Sequence, residues 1–80
     1  GFGSGFDDET EARHIGECIN KFLRKQSGEV RDIFICRYFY SDSIGEICHR
    51  FGHSESKVKS LLHRTRSKLK KFLESEGIRL

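Results

Sequence analysis

The stretch Lys57–Lys71 constrains this chain more than any other, because it joins an apolar stripe at helical spacing to seven Lys or Arg residues and no acidic one. At roughly 100° per residue, Val58, Leu61, Leu62, Thr65, Leu69, Phe72 and Leu73 fall on one face of a helix. Ser56, Ser60, His63 and Ser67 fall opposite, flanked by Lys57, Arg64 and Lys71 on one side and by Lys59 and Lys70 on the other. One face can pack on a core while the other offers cations and short donors to a polyanion. Such a face suits DNA.

The residues ahead of this helix strengthen that expectation. Ser43-Ile44-Gly45-Glu46 has the form of a capping box, in which the serine oxygen and the glutamate carboxylate satisfy free amides at a helix start. A short helix Ile44–Phe51 then presents Ile44, Ile47, Cys48 and Phe51 on one side. Gly52 follows, where a helix end commonly requires the left-handed backbone that glycine adopts without strain. Ser54 is placed to cap the next helix, and Glu55 suits its positive end. Two helices joined by a short turn containing glycine form a helix-turn-helix, whose second helix enters the major groove.

Eighty residues at 35% hydrophobic content allow one domain with a single modest core. Proline is absent, and beyond residue 6 glycine occurs only at positions 16, 28, 45, 52 and 77, which favours helices with short connections. Net charge is +3, but residues 1–36 carry five basic and seven acidic side chains while residues 37–80 carry ten and five. The C-terminal half is therefore the one suited to DNA, and the N-terminal half has a different task. Three cysteines, at 18, 36 and 48, make an odd count without a signal peptide, and Cys18 and Cys48 lie among apolar residues as small buried hydrophobes. These features predict a reducing, cytoplasmic setting and no membrane span.

Residues 1–7, mostly Gly, Phe and Ser, read as a flexible leader, either an expression remnant or a piece of linker. The domain proper is expected over 8–76, with 77–80 as a C-terminal tail. Asp7–Glu11 supplies acids and a capping threonine, Thr10, for a first helix with Ala12, Ile15, Ile19, Phe22 and Leu23 at helical spacing, ending near Ser27-Gly28. A second helix, from about Glu29 to Phe39, is expected to bury Val30, Ile33, Phe34 and Tyr38. The fold class is all-α, four helices with a C-terminal helix-turn-helix.

Arg31, Phe34, Arg37, Tyr38, Ser43, Glu46, Ile47 and Cys48, followed by Gly52, Ser54, Val58, Lys59, Ser60, Leu62, Arg64, Arg66 and Leu69, carry a family resemblance in one register. From Ile19 to Phe72 the chain resembles region 4 of a bacterial RNA polymerase sigma factor, of the extracytoplasmic-function type. The resemblance implies a domain that docks its recognition helix on the −35 promoter element and holds the flap of the polymerase β subunit. It implies a monomer without cofactor or catalysis, and brings in an anti-sigma protein as a further partner. Four positions depart from the family pattern. Cys48 replaces a small alanine, and His53 stands where an aliphatic is common, which predicts a less firmly packed turn. Lys57 replaces threonine and adds a cation, while Leu61 replaces arginine and widens the apolar stripe.

Lys59, Ser60, His63 and Arg64 match family positions that reach bases or nearby phosphates. Arg64 is the first candidate for base readout, since a guanidinium can bind guanine O6 and N7 together. Ser56 and Lys57, near the helix start, suit phosphate contacts, as does Arg37 from the preceding helix. An ion pair of Arg37 with Asp42 or Glu46 is the competing expectation, and Lys68, Lys70 and Lys71 fit solvated surface.

Zinc at Cys48, His49, His53 and His63 is disfavoured, because no Cys-x-x-Cys is present and His49 and His63 are expected to diverge from the core side where Cys48 points. A Cys–His nucleophilic pair lacks an orienting third group. Two other readings stay open. A response-regulator or repressor output domain would bind paired half-sites as a dimer, and a protein-interaction module would leave the basic face idle.

Overall fold

Three serines set where helices begin. The hydroxyl of Ser27 accepts from the Val30 amide, that of Ser43 from the Glu46 amide, and that of Ser54 from the Lys57 amide, each satisfying a donor that a helix start leaves free. The computed structural model describes the backbone of residues 2–78 and the side chains of residues 12–78. Its helices are α1 (Phe2–Arg24), α2 (Gly28–Tyr38), α3 (Ile44–Phe51) and α4 (Glu55–Ser75). The all-α helix-turn-helix architecture expected from periodicity is the one observed.

Each helix of the C-terminal three contributes one wholly buried aliphatic: Ile33 from α2, Ile47 from α3 and Val58 from α4 are all 0% exposed. Around them pack Phe34, Cys36, Leu61 and Leu62, with Phe22 and Leu23 supplied by α1. Truncating any of the three to alanine leaves a cavity, at a cost of about 2–5 kcal/mol for Leu- or Ile-sized side chains. That is much of what a small domain has in total. The α4 stripe is buried as its spacing predicts, through Val58, Leu61, Leu62, Thr65 and Leu73. The buried Thr65 hydroxyl donates to the Leu61 carbonyl at 2.7 Å, so it costs no unsatisfied polar group.

The capping box at α3 is complete, since Glu46 also accepts from the Ser43 amide at 3.0 Å. At the other end Gly52 has φ +68°. His53 N–H donates to the Cys48 carbonyl at 3.1 Å, which closes the turn. The histidine at this position makes a polar contact across the fold. His53 Nε2 lies 2.6 Å from Glu29 Oε1, and its side chain is only 16% exposed. The imidazole thus pins the turn to the start of α2, which replaces the anchoring an aliphatic side chain would give.

Several expectations are corrected. Tyr38, assigned to the core by its spacing, is 42% exposed: α2 ends there and the chain turns away, with the ring packed on Phe34 at a centroid distance of 4.7 Å. Ala12 is exposed; among the described side chains, those of α1 from Ile15 and Cys18 onward meet the core. Cys48 is half-buried, whereas Cys36 is the second fully buried cysteine beside Cys18. The backbone of residues 2–7 is helical and continuous with α1, which begins ahead of the Thr10 cap in a chain with no proline to stop it.

Residues 77 and 78, placed in the tail, belong to the packing. Gly77 adopts φ +83°, and Ile78 N–H donates to the Leu73 carbonyl at 2.9 Å while Gly77 N–H donates to Glu74. This is a Schellman motif, and its usual hydrophobic contact joins Ile78 to Leu73. Cys18 completes that small cluster and ties α1 to the end of α4. Phe22 against Phe72 and Lys25 over the Phe72 ring extend the same seam. Gly1 and residues 79–80 lie outside the described residues.

Candidate nucleic-acid interface

The core fixes which way α4 faces. With Val58, Leu61, Leu62 and Thr65 buried, the positions between them are forced outward, and Ser56, Lys57, Lys59, Ser60, His63 and Arg64 are all exposed. These six candidates therefore occupy one surface of one rigid helix. Lys59 is engaged within the helix, its Nζ 2.7 Å from Glu55 Oε1. That contact holds the Glu55 carboxyl below its ordinary 4.5, chiefly through the hydrogen bond from Lys59 and then through its charge. An exposed pair four residues apart contributes little, so a phosphate can compete for Lys59. Among the described residues, Arg64 has no carboxylate partner.

Arg37 is also exposed, but neither competing ion pair forms. Its guanidinium donates to the Asp42 main-chain carbonyl at 3.0 Å. The Asp42 carboxylate instead accepts from Arg50 at 3.0 Å, and the Glu46 carboxylate is turned back onto the Ser43 amide. Those bonds to Ser43 hold the Glu46 carboxyl below its ordinary 4.5, with a smaller contribution from the Arg50 charge. The positive charge of Arg37 is thus positioned by a neutral acceptor and left uncompensated.

Arg37 and Tyr38 of α2, Ile44 of α3, and Lys59, Leu62, His63 and Arg66 of α4 line one shallow groove. Three of the seven sequence candidates meet here: Arg37, Lys59 and His63. Ser56, Lys57, Ser60 and Arg64 do not line it, and sit further round α4. Tyr38 and Arg66 join the basic surface without having been candidates. The signal for Arg66 was present in the spacing, since Lys59, His63 and Arg66 are four and three residues apart and share a helix face. No comparable signal marks Tyr38, whose exposure depends on where α2 ends. No three His, Cys, Asp or Glu side chains gather as metal ligands among the described residues.

Residues 27–71, from the cap of α2 through most of α4, match the family described as Sigma-70, region 4. The chain belongs to the sigma-70 region 4 family. No curated protein and no solved structure matches it. Sigma region 4 is a DNA-binding part of a transcription initiation factor, and the family is not one of enzymes. The match covers the helix-turn-helix and the helix before it, leaving α1 largely to this chain's own packing. No helix among the described residues is long and apolar enough to cross a membrane.

Proposed function

We propose that this sigma region 4 domain sets α4 in the major groove at a −35 promoter element while the RNA polymerase core, through its β flap, holds the domain in place. The observation that carries the reading is the outward row Ser56, Ser60, His63, with Arg64 and Lys57 beside it, on a helix whose opposite side is locked into the core. Arg64 reads a base edge, where a bidentate contact to guanine is worth about 1–3 kcal/mol of discrimination. Lys57, Ser56 and Arg37 grip phosphates and fix register without reading sequence. Lys59, Ser60 and His63 act at bases or adjacent phosphates.

A separate surface supports the polymerase contact. Phe39 and Tyr40 are 61% and 71% exposed, and with Leu23, Ile35 and Asn20 they line an apolar groove between α1 and the end of α2. Exposed neighbouring aromatics on so small a chain suit a protein partner. The same surface serves an anti-sigma protein when one is present. In this reading the protein is cytoplasmic, acts as a monomer, belongs to the extracytoplasmic-function type and has no cofactor.

The test is an NMR titration of the labelled domain with a short duplex bearing a −35-like element, at low and moderate salt. Shifts concentrated at residues 56–64, and larger for the specific duplex than for a scrambled one, support groove recognition. Shifts absent at low salt, or confined to residues 12–36, sink it and leave a protein-interaction module. A dimer by sedimentation, bound to paired half-sites, would instead indicate a regulator of the repressor type.

A further inference from the structure

We propose that His53 and Glu29 form a proton-dependent latch that positions the first turn of α4 for contact with DNA. The proposal rests on the DNA-binding reading and adds to it two residues outside the candidate interface. His53 Nε2 lies 2.6 Å from Glu29 Oε1. The imidazole is 16% exposed, so water screens its charge less than that of a free surface histidine.

Three helix ends meet at this contact. The His53 amide donates to the Cys48 carbonyl near the end of α3, Ser54 beside it caps α4, and Glu29 lies in the first turn of α2. Further along α4, Val58 is wholly buried and is the first side chain of that helix in the core. Ser56 and Lys57 lie between His53 and Val58, and both are exposed. Beyond its own cap, the start of α4 is therefore held by the His53 contact. A helix end without such an anchor frays, and the donors on it lose their fixed distance to the sugar–phosphate strand.

The chemistry of the pair makes the anchor depend on a proton. A neutral imidazole donates one ordinary hydrogen bond to a carboxylate, whereas an imidazolium adds opposite charge and a stronger bond. Histidine is the side chain type that takes up a proton on mild acidification. The other charged groups near the imidazole do not replace Glu29. Arg50 of α3 is turned to Asp42, and Glu55 of α4 to Lys59. His49 of α3, Lys57 of α4, and Arg31 and Asp32 of α2 form no ion pair among the described residues. An aliphatic side chain at position 53 would anchor the turn equally at any pH.

The test compares the wild-type domain with Glu29→Gln by fluorescence anisotropy on specific and scrambled duplexes, at constant low salt and at about pH 6 and about pH 8. Glu29→Gln keeps an acceptor for the imidazole and alters an exposed side chain, so the fold should hold, and thermal melts check this. On acidification, wild-type affinity for both duplexes should rise about two- to fivefold more than that of Glu29→Gln, the range that exposed ion pairs span. Proton uptake alone does not produce this difference, since His53 is present in both proteins. The difference should persist when His63→Gln is added to both, which removes the imidazole on the DNA face. In a parallel NMR titration without DNA, the amides of residues 54–57 should move with the His53 imidazole in the wild type and move far less in Glu29→Gln. Equal pH dependence of affinity in the two proteins would overturn the latch and leave groove recognition standing. Amides that ignore the imidazole titration would overturn it as well. No binding by the wild type at either pH would overturn the DNA-binding reading and, with it, this role for the pair.

Discussion

The Arg50 guanidinium lies 3.0 Å from the Asp42 carboxylate, and this pairing decides what Arg37 can do. Asp42 sits in the turn between α2 and α3, close enough to Arg37 for its own carbonyl to accept from that side chain. Were Arg50 missing, the same carboxylate would be free to swing onto Arg37 and neutralise it. Arg50 also donates to the Cys36 sulfur at 3.2 Å, so the guanidinium is tied to both α2 and the turn. A residue outside the proposed interface thereby keeps the charge of Arg37 unpaired.

Arg50→Ala is therefore expected to lower affinity for specific and scrambled duplex equally, by about two- to fivefold, the range that exposed ion pairs span. The double variant Arg50→Ala with Asp42→Asn should recover most of that loss, because the carboxylate that captures Arg37 is then gone. Anisotropy titrations of the four proteins form a double-mutant cycle. Additive effects, with no recovery in the double variant, would show that Arg50 acts some other way.

Glycine to alanine should have opposite signs at two positions. Gly52 ends α3 at φ +68°, and an added Cβ would meet no other atom within 4 Å, so the cost of Gly52→Ala is backbone strain alone, about 1–2 kcal/mol. Gly16 lies inside α1 with open space around it, and Gly16→Ala should stabilise by about 0.5–1 kcal/mol. Urea denaturation midpoints separate the two. A neutral Gly52→Ala would mean that the turn relaxes out of the left-handed conformation.

What the sequence made legible was local. Ser43 and Glu46 three residues apart specify their own capping box, Gly52 its own turn, and the α4 stripe its own buried face, because each depends only on neighbours along the chain. What it hid depended on partners far away in sequence. The pairing of His53 with Glu29 spans 24 residues, and no helical period points to it. Arg37 had two acidic residues within plausible reach, and it bonds a carbonyl because Asp42 turns its carboxylate to Arg50 and Glu46 turns its own to Ser43. Tyr38 met the spacing rule for burial but falls at the last residue of its helix, where the rule stops applying. Gly77-Ile78 was readable, since a glycine followed by an aliphatic is the sequence form of a Schellman ending, yet its position near the terminus suggested a tail.

Acid sensitivity should depend measurably on Glu46. Its carboxyl is held below the ordinary value of 4.5 in the folded domain by hydrogen bonds from Ser43. A carboxyl depressed by folding contributes stability above its unfolded pKa, and that contribution disappears as pH falls through the folded value. Glu46→Gln keeps a neutral acceptor for the Ser43 amide, so helix α3 should still be capped. Wild-type melting temperature should thus fall more steeply than that of Glu46→Gln between about pH 5 and pH 3. Parallel acid limbs for the two proteins would remove Glu46 from the account of acid stability.

Arg64 and Lys57 should separate base readout from phosphate grip on a single helix. Arg64→Ala is expected to lose about 1–3 kcal/mol of preference for the specific duplex while retaining most affinity for a scrambled one. Lys57→Ala should weaken both duplexes similarly and reduce the salt slope by about 0.9. Both side chains are exposed on a helix whose stability comes from its other face, so neither change should unfold the domain, and thermal melts check this. Equal losses on specific and scrambled duplex for Arg64→Ala would reassign it to phosphate and move base recognition to Lys59, Ser60 and His63.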